Sequence, residues 1–477
     1  MRRFAVLLLA AACSAGTTVA TPPTTPPPTS PTPVATTTPT ATATAATPAP
    51  PTSPTPKTTG AASALPADCL SYRAPDPLRP QVTLDLTVDK AEVSGTERVV
   101  FTPDSAVTEL VFRLWASAPR PAKDGGSSSI VSAKVNGEAV KVIRSTPTLA
   151  RLPYRGRAGA SVTIELTFVV HLPTGTDDRF GSRGTTTWFG SAQPLLAWER
   201  GRGWATEPPT SGFAEASTSE EFRLVQLAVR HAAGLTVLAT GAPVSETSTV
   251  TVTSAPAVRD VMVAVGAFRT VRLSGPVPVV VGVAPQVPDS AATVGREVVR
   301  AMRAHEKRFG PFPYQRLSVA VIPDVRGGIE YPGAMLLGTG QDQDATASHE
   351  VAHEWFYGLV GDDQARDPWI DESFATYAEA VDRGTGGRYR SATIPADGRG
   401  RTGAPMTYWE GRPSYFRSVY IQGAAALLRA RAVAPAQFDR QVRCYVARNA
   451  HRIATPGDVA LAIPLATAAL RKAGALP

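Results

Sequence analysis

The most constraining feature of the sequence is a change of its hydrophobic period near Pro276. Upstream, from about residue 71, apolar and polar residues alternate in several runs. A period of two predicts β-strands that bury one face. The clearest runs are Val82, Leu84, Leu86 and Val88; Leu110, Phe112 and Leu114; and Val225, Leu227 and Val229. Residues 67–275 are therefore expected to form a mostly antiparallel β domain.

Downstream of Pro276 the pattern is mixed. Strands are expected at residues 277–283 and 317–321, where short apolar runs lie between turn residues. Between them, Val294, Val298 and Met302 recur at helical spacing, which predicts a helix over residues 290–309. A glycine-rich turn and a mainly helical remainder follow. Residues 276–477 are thus expected to form a second domain, and the fold class is α+β multidomain.

The N-terminal residues have the pattern of an export signal. Arg2 and Arg3 precede an apolar run at residues 4–12, which is too short to span a bilayer as a mature helix. Cys13 then follows three alanines in a sequence that resembles a bacterial lipobox. Residues 1–16 are expected to be a signal peptide with Cys13 lipidated. The expected location is the bacterial cell surface, with the membrane bound through the lipid anchor, and simple secretion stays open.

Residues 17–66 consist almost entirely of Thr, Pro, Ala and Ser. No charged residue occurs between Arg3 and Lys57. A segment of this composition cannot bury a hydrophobic core, so it is expected to be a disordered, extended linker. Glycosylation of its threonines stays open.

Charge and cysteine content exclude some classes of protein. The chain has 48 Lys+Arg against 40 Asp+Glu, and no basic run is interleaved with aromatic residues, so no nucleic-acid partner is expected. Three cysteines in 477 residues exclude a small disulfide scaffold. Once Cys13 is assigned, Cys69 and Cys444 are left, and they are either paired or two buried thiols. The sequence does not decide between these alternatives.

The second domain contains an H-E-x-x-H motif at residues 349–353. His349 and His353 are four residues apart, so they project from one helix face and both rings can reach one Zn²⁺. Glu350 is turned toward the open coordination position, where a base for metal-bound water must lie. The polar cluster that begins at Asp342 is expected to cap the start of this helix.

The following helical segment, W-I-D-E-S-F-A at residues 369–375, supplies further carboxylates. Glu372 is expected to be the third protein ligand of the metal. Glu379 lies seven residues later on the same face. It is expected either to orient a ligand histidine from behind or to be a solvated carboxylate.

These motifs resemble the gluzincin zinc aminopeptidases of the membrane alanyl aminopeptidase and leukotriene hydrolase type. The resemblance covers about residues 72–465. It rests on H-E-V-A-H-E-W-F-Y-G at 349–358, W-I-D-E-S-F-A at 369–375, G-G-I-E-Y-P-G at 327–333 and Y-I-Q-G-A at 420–424. Only about a hundred residues follow Glu372, so the chain is expected to be a short form without the large C-terminal helical domain of many relatives.

The resemblance implies that residues 276–477 form a thermolysin-like catalytic domain that binds one Zn²⁺ per chain. Glu330 would bind the free α-ammonium of a substrate, beside Gly327 and Gly328. Tyr420 would stabilise the oxyanion, and Tyr415 is its nearest rival for that role.

The expected function is that of a zinc-dependent aminopeptidase. It would hydrolyse N-terminal residues from peptides with a free N-terminus, by attack of a zinc-bound water with Glu350 as general base. Two alternatives stay open. One is a non-catalytic surface protein that binds peptides on a peptidase scaffold, and the other is endopeptidase or epoxide hydrolase chemistry at the same zinc.

Overall fold

The computed structural model describes residues 69–173, 179–210, 220–323, 325, 327–340 and 342–477. The predicted signal peptide, the lipidation site Cys13 and the predicted linker at 17–66 lie outside the described residues, and those expectations stay predictions. Within the described ranges, no helix combines the length and the apolar composition that crossing a bilayer requires.

The described strands are between two and ten residues long. In chain order they are β1 (Gln81–Asp89), β2 (Glu92–Phe101), β3 (Val107–Arg113), β4 (Ser127–Val135), β5 (Glu138–Val140), β6 (Ile143–Thr146), β7 (Leu149–Gly156), β8 (Val162–His171), β9 (Phe180–Arg183), β10 (Thr186–Gly190), β11 (Leu195–Leu196), β12 (Trp198–Glu199), β13 (Gly203–Trp204), β14 (Phe222–Arg230), β15 (Thr236–Ala239), β16 (Ala242–Glu246), β17 (Val250–Val258), β18 (Met262–Gly266), β19 (Arg269–Ser274), β20 (Pro278–Val283), β21 (Leu317–Val321), β22 (Gly328–Tyr331), β23 (Ala334–Leu337), β24 (Val360–Gly361) and β25 (Arg452–Ile453).

Among the described residues, all but one of the α-helices follow the β-rich first half. They are α1 (Pro119–Lys123), α2 (Ala291–Phe309), α3 (Gln343–Ala352), α4 (Trp369–Asp382), α5 (Gly386–Arg390), α6 (Met406–Trp409), α7 (Gly423–Val433), α8 (Pro435–Asn449), α9 (Pro456–Ala462) and α10 (Thr467–Ala473).

The first half is built from antiparallel sheets, as predicted. Its largest sheet has the strand order β16-β17-β14-β1-β2-β8-β4-β5, and two four-stranded sheets have the orders β15-β18-β10-β9 and β11-β3-β7-β6. The pair β1–β14 is parallel, and the other neighbours are antiparallel.

The predicted burial of β14 is wrong at Val225. Its side chain is 42% exposed, while Leu224 is buried at 1%. The pairing of β14 with β17 shifts between Leu224 and Leu227. Because a bulge inserts a residue, it moves the residues on either side of it to opposite faces of the sheet. Leu227 and Val229 are buried as expected.

The second half contains a five-stranded sheet with the order β19-β20-β21-β23-β22. The three central strands are parallel, and the two edge strands run antiparallel to their neighbours. Helix α2 buries Val294, Val298 and Met302 against this sheet, as its pattern predicts. The predicted domain boundary at 275/276 falls in the turn between β19 and β20, so β19 pairs within the second sheet.

The sheet β15-β18-β10-β9 packs between two hydrophobic cores. Trp188 and Leu238 belong to the core of the second half, whereas Phe189 and Val263 belong to the core of the β-rich half. Gly282 of β20 permits this close packing, because a Cβ there would lie 2.5 Å from Leu238. The two halves are therefore joined by continuous apolar packing.

Cys69 and Cys444 form a disulfide with an Sγ–Sγ distance of 1.97 Å. The bond attaches the first described residue to α8. Of the two alternatives that the sequence left open, a disulfide or two buried thiols, the structure shows the disulfide.

Candidate metal centre and peptidase site

Helix α3 carries the two histidines of the H-E-x-x-H motif. His349 lies in its last turn and His353 is its C-terminal capping residue, still near helical geometry. Their Nε2 atoms are 3.1 Å apart. Nδ1 of His353 donates a hydrogen bond to the carbonyl of Phe356 at 3.0 Å. This bond fixes the tautomer, so that Nε2 of His353 presents a lone pair toward His349.

The start of α3 differs in one detail from the sequence prediction. Asp342 is the N-terminal capping residue, but it has a left-handed backbone (φ 67°) and its side chain makes no capping hydrogen bond. Asp344 instead accepts a hydrogen bond from the amide of Ala345 at 2.8 Å. A carboxylate in the first turn still opposes the positive end of the helix dipole.

Glu372 of α4 completes a cluster of three ligand atoms. Its Oε2 lies 3.1 Å from Nε2 of His349 and 3.4 Å from Nε2 of His353. Ligands placed about 2.0–2.2 Å from a tetrahedral Zn²⁺ are separated from one another by roughly 3.3–3.6 Å, a few tenths of an ångström more than the shortest of these distances. The two nitrogens and the carboxylate oxygen therefore fit a zinc ion in both chemistry and spacing.

The neighbouring histidines favour the ionised form of Glu372 in spite of its burial. Burial alone raises the pKa of its carboxyl, but His353 and His349 outweigh this and hold the pKa below its ordinary value. The amide of Glu372 donates a hydrogen bond to Asp371 at 2.7 Å. An anionic, oriented carboxylate is what metal binding requires.

Glu350 lies beside the ligand cluster. Within the described part of the chain, its Oε2 has no hydrogen-bond partner, although the side chain is buried. Burial raises the pKa of Glu350 to about 7, against the opposing effect of His349 and His353. The backbone of Gly328 packs directly on this side chain, because a Cβ at Gly328 would lie 2.4 Å from the Cγ of Glu350.

Glu330 lies on edge strand β22 and faces the same centre. One ligand atom each of Glu330, Glu350 and His353 lie within 4.8 Å of one another. The Oε1 of Glu330 accepts a hydrogen bond from Gln364 at 3.1 Å. Gly327 precedes the strand with φ +84°, a conformation that favours glycine.

Tyr420 contacts two members of the cluster, Glu372 and His349. Its hydroxyl donates to Oε1 of Glu372 at 2.5 Å, and its ring stacks on His349 with centroids 5.9 Å apart. The residue lies in a π-helical segment, Arg417–Gln422. Tyr415 is buried, and its ring packs edge-on against the ring of Tyr420 at 5.7 Å. The hydroxyl of Tyr420 thus contacts a predicted metal ligand.

Glu379 lies two turns after Glu372 on α4. Its Oε2 accepts a hydrogen bond from the hydroxyl of Tyr389 at 2.7 Å. Burial raises the pKa of Glu379, and His349 is close enough to oppose this shift. Its predicted action on a ligand histidine stays a prediction.

Two site residues were missed by the sequence analysis. Gln364 is buried and its Nε2 also donates to Asp371 at 2.8 Å; the polar run that begins at Asp362, just before α4, was the available signal. Arg179 comes from the β-rich half and its Nη2 lies 3.7 Å from Oε1 of Glu330. Nothing local marks Arg179, since only the packing of the two halves brings it to the site.

Sequence comparisons give short matches to aminopeptidases. No family model matches the chain. It is 33% identical over 83 residues to aminopeptidase N of Streptomyces lividans, which is 15% of this chain and 10% of that protein. It is also 33% identical over 86 residues to endoplasmic reticulum aminopeptidase 1 of Rattus norvegicus, which is 15% of this chain and 9% of that protein. The matches thus span about a tenth of the length of these relatives.

Solved structures match over most of the chain. An M1 zinc metallopeptidase of Deinococcus radiodurans has a TM-score of 0.62 at 19% identity, covering 83% of this chain and 93% of that one. A mutant of that enzyme bound to a Tyr-Ser-Ala substrate has a TM-score of 0.64 at 18% identity, covering 84% and 95%. A two-domain M1 zinc metallopeptidase bound to L-tryptophan has a TM-score of 0.61 at 18% identity, covering 84% and 96%. The predicted family resemblance and fold class are confirmed.

Proposed function

We propose that this chain, which has the fold of the M1 zinc metallopeptidases, is a zinc-dependent aminopeptidase that removes N-terminal residues from peptides. One observation carries the exopeptidase assignment: the carboxylate of Glu330 lies within 4.8 Å of ligand atoms of Glu350 and His353. A buried anion so close to the predicted base would hold a substrate ammonium beside the first peptide bond. The names of the matched aminopeptidases and the tripeptide bound to a structural neighbour support the same substrate class.

His349, His353 and Glu372 would hold one zinc ion per chain. Zinc in such a site lowers the pKa of a water ligand toward 7 and polarises a carbonyl group. The chain keeps these ligands in place through the hydrogen bond from His353 to the Phe356 carbonyl and the hydrogen bond from Tyr420 to Glu372.

Glu350 is placed to move the protons of the reaction. Its Oε2 has no hydrogen-bond partner among the residues that the structure describes, and the side chain is held between α3 and the backbone of Gly328. It would take the proton of the attacking water and deliver it to the leaving amine.

Tyr420 is placed to stabilise negative charge on the carbonyl oxygen. Its hydroxyl lies at the edge of the ligand cluster, 2.5 Å from Oε1 of Glu372. In the substrate complex it would turn its hydrogen bond from that carboxylate to the oxygen on which charge develops. A positioned donor of this kind acts mainly on the transition state.

Glu330 would bind the α-ammonium. Gln364 donates a hydrogen bond to its carboxylate, and the guanidinium of Arg179 lies 3.7 Å from that carboxylate on the side of the β-rich half. A peptide bound through its N-terminus then places its first carbonyl near Glu350, which explains removal of a single residue.

A panel of aminoacyl fluorogenic amides, each in free and N-acetylated form, tests the proposal. We expect turnover of the free amides only. Glu350→Gln should lower kcat by roughly 10²–10⁴-fold while elemental analysis still finds one zinc per chain. Glu330→Gln should lower kcat/KM for free amides, and Glu138→Gln on the exposed strand β5 is the matched control with no effect.

Three results would decide against the assignment. Equal cleavage of acetylated substrates would indicate an endopeptidase. Bound zinc with no cleavage of any amide would indicate a peptide-binding protein, and hydrolysis of an added epoxide substrate alone would indicate epoxide hydrolase chemistry.

We also propose that the protein is exported, with Cys13 as a lipidated N-terminus. The Cys69–Cys444 disulfide supports an oxidising compartment, since such bonds are rare in the cytosol. Metabolic labelling with palmitate, compared between the natural protein and Cys13→Ala, tests the anchor. Equal labelling of both would contradict it, and unlabelled, processed protein in the medium would favour simple secretion.

A further inference from the structure

An open groove lies between α2 and strand β19, away from the peptidase site. Its volume is about 540 Å³, which is within the range of ligand-binding clefts. The groove has an apolar side and a basic rim. The apolar side is formed by Val271, Leu273 and Val299, and the rim by Arg296, Arg300 and Arg303.

Strand β19 is an edge strand. It pairs with β20, and among the described strands no other pairs with its outer side. Its residues are mostly exposed, with Val271 and Leu273 partly buried toward α2. An exposed strand edge offers main-chain donors and acceptors to an incoming extended chain.

The arginines of the basic rim differ in their pairing with carboxylates. Arg300 is paired with Asp382 at 2.9 Å and with Glu297 at 3.1 Å. Arg296 and Arg303 are exposed, and in the described ranges neither has a carboxylate partner; Arg296 contacts the hydroxyl of Thr293 at 3.0 Å and Arg303 the carbonyl of Ser274 at 3.4 Å. The rim therefore favours an anionic ligand.

The spacing of the arginines suits an extended peptide. Arg296, Arg300 and Arg303 recur at helical spacing along one face of α2, over about 10 Å of helix. Residues on one face of a strand repeat about every 7 Å. Two carboxylates on alternate residues of a strand beside β19, about 7 Å apart, would thus come within reach of the flexible guanidinium groups of the rim.

We propose that this groove docks an acidic, extended peptide segment of a partner protein, which adds a strand to β19. Its carboxylates would face the arginine rim, and its backbone would pair with the edge of the sheet. The site is separate from the proposed aminopeptidase cleft, because β19 and the Glu330-bearing β22 are opposite edges of the sheet, about 19 Å apart.

A blocked, labelled probe tests the docking without involving hydrolysis. The probe is acetyl-(Val-Glu)₃-amide, measured by fluorescence anisotropy on the full chain. The charge-reversal pair Arg296→Glu with Arg303→Glu should weaken binding by at least roughly tenfold, whereas Lys307→Glu, an exposed residue of the same helix outside the groove, should change it by less than about twofold.

Two N-methylated probes test strand pairing on the unaltered protein. Each probe carries methyl groups on alternate amide nitrogens. In one probe the methylated amides face β19, and in the other they face away from it. We expect only one of the two to lose binding. Loss of binding in neither, or competition by inorganic polyphosphate as strong as by the unmethylated peptide, would overturn the strand assignment in favour of simple anion binding. An equal effect of Lys307→Glu would overturn the groove itself.

Discussion

Gly328→Ala tests whether the backbone of β22 positions Glu350. A Cβ at Gly328 would lie 2.4 Å from Cγ and 2.6 Å from Cδ of Glu350, while ordinary contact begins at 3.4 Å. Either the side chain of Glu350 or the strand must therefore move by about 1 Å, and a misplacement of that size near a reacting group costs roughly 10²-fold in rate. We expect kcat for a free aminoacyl amide to fall by that factor, with folding retained.

The assay is a double-mutant cycle on kcat with Glu350→Gln. If the methyl group acts by displacing Glu350, the double variant should be as active as Glu350→Gln alone, because the displaced group is already disabled. If the strand moves instead, the two losses multiply and KM for free amides rises, since Glu330 shares the strand.

Gly387→Ala is the matched control for the added methyl group. Among the described atoms outside the backbone of its own helix, none lies within 4 Å of its added Cβ. Its activity should equal that of the natural protein. Natural activity in Gly328→Ala, with an unchanged thermal midpoint, would refute the reasoning, because the clash would then be absorbed without displacing either group.

Three further predictions concern the site and the stability of the fold. Tyr420→Phe should lower kcat by roughly 10²–10³-fold with little change in KM, as expected for loss of an oxyanion donor; an effect on KM alone would assign the hydroxyl to substrate binding. The paired change Cys69→Ser and Cys444→Ser should lower the free energy of unfolding in urea by about 2–5 kcal/mol, because the bond closes a loop of 375 residues; an unchanged midpoint would show that the N-terminal segment frays independently. Burial raises the pKa of Asp260 from 3.8 to about 6, so its contribution to stability is complete below pH 3.8 and is lost as the pH rises through 6, by about 3 kcal/mol in total. Asp260→Asn mimics the protonated form, so its free energy of unfolding in urea should fall less than that of the natural protein between pH 4 and 7. Parallel pH dependences of the two proteins would contradict the raised pKa of Asp260.

The parts of the fold that the sequence predicts are those determined by local pattern. Strand β21 has the predicted bounds, and α2 begins one residue after the predicted start, because their apolar periods are regular. His349 and His353 converge because four residues make about one helical turn. Glu372 joins them because α4 packs against α3. The sequence predicted Glu372 as a ligand, but its periodicity did not predict this packing of the two helices.

The parts that were missed depend on pairing between distant segments. The bulge that exposes Val225 arises where β14 pairs on both sides, with β1 and β17. The π-helical segment Arg417–Gln422 interrupts α-helical hydrogen bonding, and Gly423, directly after it, is the nearest local signal in the sequence. Neither feature leaves a periodic signal, since each satisfies tertiary contacts rather than local preference.

The site depends on the junction of the two halves. Arg179 reaches Glu330 from the β-rich half, and Asp260 accepts hydrogen bonds from Ser191 and from Tyr357, which follows α3. Gly190 makes this junction possible, because a Cβ there would lie 2.2 Å from ring atoms of Tyr331, the residue that follows Glu330. Removing the β-rich half would leave Glu330 without its cationic neighbour and would expose the apolar face of the catalytic sheet. Under the proposed function, the β-rich half would therefore contribute to the substrate anchor as well as support the fold, and we expect catalytic activity only of a chain that contains both halves.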